Sequence, residues 1–176
     1  NASKGFIATL DPLTIKRPDG SPVLDLSKFE FLNNEAPPTV NPSLWRQAQL
    51  NAQHTGLFEV VEGIYQVRAF DIANMTLIQG ETGWIIVDPL TSSESSRAAL
   101  ELANEKIGHR DVVAVIHTHS HADHFAGVFG VISPEQAENG SISIVAPEHF
   151  VDESLSENVI AGNAMGRRAT YMYGNL

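Results

Sequence analysis

The sequence predicts an α/β fold built on a mixed β-sheet, and two observations support this fold class. Between residues 57 and 87, apolar runs of strand-forming residues alternate with turn pairs, which is typical of antiparallel strands joined by tight turns. A strand at 84–87, a helical pattern at 92–107 and a short apolar strand at 112–116 follow in the order of a βαβ unit with parallel strands. One sheet that contains both kinds of connection is mixed.

Local signals predict the elements on either side of this unit. The first forty residues mix short apolar runs with turn residues, so we expect a wrapping arm with one or two short strands. Asn41 before Pro42 predicts the start of a short helix, and Gly56 suits its C-cap. The later part of the chain is predicted as a strand at 141–145 and helices at 147–155 and 157–168.

Composition and charge exclude several classes of protein. The chain has 176 residues and is 43% hydrophobic, which is enough to bury the core of one ordinary domain. A net charge of −10 disfavours a broad grip on nucleic acid, so no nucleic-acid partner is expected. The absence of cysteine excludes disulfides and a cysteine nucleophile. No apolar run approaches the roughly 18–20 residues of a membrane span.

A cluster of histidines follows the strand at 112–116, and its spacing predicts a centre for two metal ions. His119 and His121 are two apart in an extended stretch, so both imidazoles can reach one cation. Asp123 and His124 are adjacent and can face a second cation, at the roughly 3.5–4 Å separation of two-metal hydrolytic sites. Imidazole and carboxylate ligands without thiolate suit Zn²⁺ best, although Mn²⁺ or Fe also fits.

Two such ions imply metal-assisted hydrolysis. Water held between them has its pKa lowered to about 7, which supplies a nucleophile at neutral pH. Asp123 can both bind metal and orient that water, so it is the predicted catalytic residue. A histidine-rich surface loop with adventitious metal affinity is the alternative.

Four further residues are candidates for positioning the metal ligands without binding metal themselves. His117 precedes the cluster and lies deeper in the strand, where it can hydrogen-bond a ligand. Asp88 ends the strand at 84–87 and can orient an imidazole. Asp71 and Asn74 flank a strand start, where they can cap a turn; a role in holding loops near the site is what the family resemblance described next implies for them.

Two sequence runs resemble the metallo-β-lactamase superfamily, namely HSHADH at 119–124 after its apolar strand and WIIVDP at 84–89. The resemblance implies an αββα sandwich with two metal ions between the sheet edges, of which this chain is the N-terminal half. Longer runs are similar to the linear alkylsulfatase branch, and they lie at 41–47, 64–76, 118–128 and 157–168.

The alkylsulfatase resemblance implies a sulfuric ester hydrolase with two zinc ions. Its substrates would be alkyl sulfate esters such as dodecyl sulfate, and its products an alcohol and inorganic sulfate. The resemblance also implies a periplasmic or secreted protein that dimerises through a downstream helical region. The open alternatives are another hydrolase of the superfamily, such as a lactonase, thioesterase or phosphodiesterase, and an inactive metal-binding fragment.

The same resemblance sets the expected domain organisation. Residues 1–56 form the N-terminal arm and helix, and residues 57–176 form the first half of the catalytic domain. The family's two acidic ligands, a further histidine and its sulfate-binding residues follow the region that ends at Leu176. Because the chain also begins without Met, we expect an internal stretch of a longer polypeptide.

Overall fold

A computed structural model describes residues 2–173, and it confirms the predicted α/β class with a mixed sheet. Seven strands form one sheet in the order β1-β4-β5-β6-β7-β8-β9, and β2 pairs with β3 as a separate hairpin. The strands are β1 (Phe6–Ala8), β2 (Thr14–Lys16), β3 (Pro22–Asp25), β4 (Gly56–Val61), β5 (Ile64–Arg68), β6 (Met75–Gln79), β7 (Trp84–Val87), β8 (Val112–Ile116) and β9 (Ser143–Val145). The helices are α1 (Pro42–Gln53), α2 (Ser93–Ile107), α3 (Pro134–Glu138), α4 (Phe150–Leu155) and α5 (Gly162–Tyr173).

The type of strand pairing changes once along the sheet. Strands β4 to β7 pair antiparallel in chain order, as their tight connections require. Strand β8 then pairs parallel with β7 after the α2 crossover, and β9 pairs parallel with β8. The carboxyl ends of β7, β8 and β9 therefore lie at one edge of the sheet, where sites in α/β folds are usually built.

Helix α2 makes the parallel pairing possible by crossing over the sheet. The hydroxyl of Ser92 accepts a hydrogen bond from the Ser95 backbone at 3.1 Å and caps the helix, and Gly108 follows its last residue. The helix buries one face, and the indole Nε1 of Trp84 on β7 donates to Asn104 on the helix at 2.8 Å. The buried core contains, among others, Leu57, Val67, Met75, Leu77, Trp84, Ile86, Ala99, Leu102 and Val115.

The N-terminal arm has more structure than its sequence predicted. It contains three short strands rather than one or two, and a 3₁₀ helix at Leu26–Asn33 follows them. Strand β1 joins the main sheet, where Phe6 lies opposite Phe58. These strands have three or four residues each and depend on partners elsewhere in the chain, so no local period marks them.

Helix α1 begins where it was predicted but ends earlier. Asn41 caps it, and its side chain accepts from the Ser43 backbone at 2.9 Å. The C-cap is His54, and Gly56 instead opens β4, so the C-cap assigned to that glycine was wrong. Gly56 has φ +136°, and a Cβ there would lie 2.3 Å from the Ala8 carbonyl oxygen. The glycine is therefore needed where β1 and β4 approach each other, not for ending the helix.

The C-terminal helical region also departs from its predicted bounds. A single helix was expected over 157–168, but a π-helical turn at Ser156–Ile160 separates α4 from α5. The turn is closed by the Ala161 backbone N–H, which donates to the Ser156 carbonyl at 2.9 Å. Among the helices of residues 2–173, none is long and apolar enough to cross a membrane.

The segment after the histidine cluster packs closely on the start of α2 through a glycine. The Gly127 N–H donates to the Leu90 carbonyl at 2.9 Å. A Cβ on Gly127 would lie 2.2 Å from the Pro89 carbonyl oxygen and 2.7 Å from that of Ser92. Both atoms are backbone carbonyl oxygens, whose displacement would disturb the packing of the chain. Only glycine therefore fits between the histidine loop and α2.

This packing predicts that Gly127→Ala lowers the free energy of unfolding by about 1–3 kcal/mol, the usual cost of overpacking. Urea denaturation of the metal-free protein measures the effect. The matched control is Gly166→Ala in α5, where nothing lies within 4 Å of the added methyl. That change should raise stability by up to about 1 kcal/mol, because alanine favours a helix interior over glycine. Equal midpoints for Gly127→Ala and the unchanged protein would contradict this account.

Candidate metal centre

The histidine loop leaves the sheet edge between two neighbouring parallel strands. The His117 N–H donates to the Val145 carbonyl on β9 at 2.8 Å, which extends β8 by one residue. On the other side, the Asp88 N–H donates to the Ile116 carbonyl at 3.0 Å. The residues that follow β7 and β8 are therefore held side by side, as their positions in the βαβ unit predicted.

The carboxylate of Asp88 connects these two strand ends. Its Oδ1 accepts from the Thr118 backbone N–H at 2.8 Å, and its Oδ2 accepts from the Thr118 hydroxyl at 2.6 Å. Oδ2 also lies 2.8 Å from Nδ1 of His124. Asp88 is 7% exposed and has φ +55°, a left-handed conformation that aspartate tolerates better than most residues. One buried carboxylate thus fixes both the entry and the far end of the loop.

The structure places the four predicted ligand residues in one loop as neighbouring pairs. Among the described residues, ligand atoms of His119 and His124 lie within 4.8 Å of each other and of Asp88, in a group that does not include His121 or Asp123. The ring centroid of His119 lies 4.6 Å from that of His121 and 4.0 Å from that of His124. Asp123 and His124 lie in a 3₁₀ turn at Ala122–His124, and Oδ2 of Asp123 is 3.2 Å from Nε2 of His124. The turn brings the second pair of candidate ligands back beside the first.

Hydrogen bonds select one nitrogen on two of the imidazoles. Because the Thr118 hydroxyl hydrogen points to Asp88, its oxygen is left to accept from Nδ1–H of His119 at 2.9 Å. Nδ1 of His124 likewise faces a carboxylate, which can only accept. These contacts leave Nε2 of His119 with a lone pair for a cation. Nε2 of His124 faces the Asp123 carboxylate at 3.2 Å, and a cation bound by both residues would replace that contact.

The donor set fits a zinc-like cation. Asp88, His119 and His124 each offer a ligand atom within 4.8 Å of the others. Because three donors already occupy the Asp88 carboxylate, we regard it as holding imidazoles rather than binding metal. The Nε2 atoms of the two histidines and the adjacent Asp123 carboxylate are the nitrogen and oxygen ligands that Zn²⁺ prefers.

His117 lies behind the loop in an apolar setting. It is 7% exposed, and its ring stacks on Phe150 with centroids 5.4 Å apart. Its Nδ1 is 3.3 Å from the His124 carbonyl oxygen. Burial lowers the pKa of His117, and that hydrogen bond opposes the effect only in part. A neutral His117 therefore supports the backbone beneath His124.

Asp71 contacts the segment that follows Asp88 and, like Asn74, lies outside the group of close imidazoles. The carboxylate of Asp71 accepts from the Thr91 backbone N–H at 2.9 Å and from its hydroxyl at 2.8 Å. Asn74 is exposed. Both residues line a cleft of about 1160 Å³, whose walls include the apolar Phe70 and Ile72. Asp71 therefore ties the β5–β6 loop to the segment that follows Asp88.

Two residues of the site escaped the sequence analysis. Thr118 bridges Asp88 and His119, and the sequence analysis assigned it no role of its own. Glu157, in the π-helical turn, places its Oε1 3.0 Å from Nε2 of His121. A threonine inside the motif could have been suspected from its neighbours. Nothing in the local sequence indicates that the turn brings Glu157 to this loop.

The chain is similar in sequence to a known family and to two characterised proteins. Residues 68–168 match the model of the metallo-beta-lactamase superfamily. The chain is 50% identical, over 99% of its length, to a linear primary-alkylsulfatase from Pseudomonas sp.. It is 45% identical, over 100% of its length, to the alkyl/aryl-sulfatase BDS1 from Saccharomyces cerevisiae.

A solved structure resembles the fold closely. The stereoselective inverting sec-alkylsulfatase Pisa1 from Pseudomonas sp. superposes with a TM-score of 0.89 at 46% identity, over 97% of this chain and 27% of that one. The chain spans 26% and 27% of the length of the two curated relatives. The similarity thus covers nearly all of this chain and about a quarter of each larger protein.

The hydrogen bonds of Asp88 predict the effect of Asp88→Asn on the metal-free protein. Asparagine keeps the shape and tolerates the left-handed backbone, but its amide nitrogen cannot accept from Thr118 or His124. Leaving a donor unpaired there should lower the free energy of unfolding by about 1–3 kcal/mol, as measured in urea. Asp111→Asn, at a side chain that is 92% exposed, is the control and should be neutral. Identical losses in the two variants would contradict the role of Asp88.

Proposed function

Because the chain belongs to the metallo-beta-lactamase superfamily, we propose that it carries the metal-binding part of a zinc-dependent alkylsulfatase. The reaction is hydrolysis of alkyl sulfate esters, such as dodecyl sulfate, to an alcohol and inorganic sulfate. The observation that carries the proposal is the meeting of His119, His121, Asp123 and His124 at one sheet edge. The 45% to 50% identity to alkylsulfatases favours sulfate esters over other substrates of the superfamily.

The proposed ligands divide into two pairs. His119 and His121 hold one zinc ion, and Asp123 and His124 hold the other. Bound Zn²⁺ supplies Lewis-acid chemistry, because it neutralises charge on the ester and acidifies water. The chain's own residues prepare the site for it, since Asp88 and Thr118 fix which imidazole nitrogens face the ions.

Asp123 is the proposed catalytic residue. Its carboxylate lies beside a ligand nitrogen of His124 and is 24% exposed, so water can reach it. A carboxylate in that position orients water toward the ester and holds a proton during the reaction. His117, which is buried and neutral, keeps the backbone of the turn in place while this happens.

Charge and shape near the site suit an amphiphilic anion. The chain has a net charge of −10, so an alkyl sulfate is repelled until divalent cations reverse the local field. The cleft that Asp71 lines also has Phe70, Ile72 and Arg68 in its lining. We propose that this cleft receives part of the alkyl chain, with Asp71 and Asn74 holding its loop.

The remaining features of the proposal come from the resemblance of the sequence runs. They are a periplasmic or secreted location, a homodimer formed through a region beyond Leu176, and a catalytic domain that begins at residue 57. Because this chain spans about a quarter of its curated relatives, the activity is proposed for the protein as a whole.

Sulfate release tests the proposal directly. Inorganic sulfate from dodecyl sulfate is measured with the protein as prepared, after chelator treatment, and after zinc is restored. We expect release that disappears with chelation and returns with zinc. Zinc-loaded protein that releases no sulfate but cleaves a lactone, thioester or phosphodiester would instead support another hydrolase of the superfamily.

Asp123→Asn tests the ligand and catalytic roles together. The amide is a poorer ligand and cannot hold a proton, so zinc affinity should fall at least about tenfold, and sulfate release should be lost. Competition with a chromogenic chelator measures the affinity. Asp152→Asn, at an α4 side chain that is 82% exposed, is the control and should change neither quantity. Full zinc affinity in Asp123→Asn would remove this residue from the proposed ligand set.

A further inference from the structure

The imidazole of His121 has a protein partner on one of its nitrogens, as the imidazoles of His119 and His124 do. Nε2 of His121 is 3.0 Å from Oε1 of Glu157, within the reach of a hydrogen bond. The partner comes from a different segment, the π-helical turn between α4 and α5. Unlike the partners of His119 and His124, the partner of His121 therefore lies outside the β7 and β8 strand ends.

The backbone around Glu157 explains how its carboxylate reaches the loop. The π-turn widens the helix by one residue, closed by the Ala161 N–H bond to the Ser156 carbonyl at 2.9 Å. Such turns are rare in proteins and often occur at functional sites, where they re-aim a side chain. Most side chains of this region are exposed, whereas Glu157 is 22% exposed and points toward His121.

The chemistry of the pair determines which nitrogen remains for a cation. A carboxylate only accepts, so Glu157 favours a proton on Nε2 of His121 and leaves the lone pair on Nδ1. In His119 and His124 it is Nδ1 that is engaged, by Thr118 and Asp88, and Nε2 of His124 faces the carboxylate of the proposed ligand Asp123. Two neighbouring histidines of one short loop therefore present different nitrogens.

We propose that Glu157 is the positioning residue of His121, which it holds so that Nδ1 faces the metal. The inference rests on the proposed zinc site and adds to it a residue from the C-terminal helical segment. It also assigns a purpose to the π-turn, which otherwise interrupts a continuous helix. Glu157 acts through His121 and is not itself a ligand.

Zinc affinity of the intact protein tests the proposal with two variants. Glu157→Leu removes the acceptor at similar volume and should weaken zinc binding by about 10–100-fold, the usual effect of losing a ligand's supporting carboxylate. Glu157→Gln keeps a carbonyl acceptor and should recover much of that loss. The matched control is Glu153→Leu, an exposed glutamate of α4, and it should bind zinc as the unchanged protein does. Circular dichroism and urea midpoints check that each variant is folded.

A spectroscopic readout separates positioning from a general structural role. Long-range proton–nitrogen correlation spectra of the zinc-loaded protein should show a proton on Nε2 of His121 and metal on its Nδ1. Metal on Nε2, or Glu157→Leu with unchanged zinc affinity, would overturn the inference while leaving the metal centre in place. No zinc binding by the unchanged protein would instead count against the proposed function itself.

Discussion

The buried carboxylate of Asp88 is the interaction on which the rest of the site depends. It joins the end of β7 to the first turn of the histidine loop, through both polar groups of Thr118 and one nitrogen of His124. Without it, the loop after β8 would be a free connection, whose ordering costs about 1–2 kcal/mol per residue. With the hydrogen bonds of Asp88, the imidazole rings of the loop are already held in fixed positions in the metal-free protein. The close fit of Gly127 against the backbone near Pro89 holds the other end of the same segment.

The site also concentrates negative charge around its imidazole rings. Asp88, Asp123 and Glu157 each lie within about hydrogen-bond distance of an imidazole nitrogen, at 2.8, 3.2 and 3.0 Å. Three carboxylates at one sheet edge repel each other unless a cation or protonated imidazoles balance them. A divalent cation removes this repulsion, because it neutralises the carboxylates and at the same time binds imidazole nitrogens. Such a cation would also make the local field positive in a chain whose net charge is −10.

Much of the fold was predictable because its signals are local. The strands from 57 to 87 and the βαβ unit carry their own periodicity, and Ser92 and Gly108 mark the ends of α2. The cluster at 119–124 was equally visible, since four candidate ligands lie in one short motif. The predictions that were wrong or missing concern features that depend on contacts between distant parts of the chain. Gly56 resembles a helix cap until its clash with the Ala8 carbonyl is known, and nothing in the sequence near Glu157 reveals the π-turn.

Location of the bound metal tests the central claim, that this loop is arranged for a cation by Asp88, Thr118 and Glu157. The measurement is anomalous X-ray scattering at the zinc absorption edge from crystals of the zinc-loaded protein. The account predicts an anomalous peak between the imidazoles of His119 and His121, bonded to Nε2 of the first and Nδ1 of the second. A peak bound elsewhere on the surface, or none in zinc-loaded crystals, would contradict it.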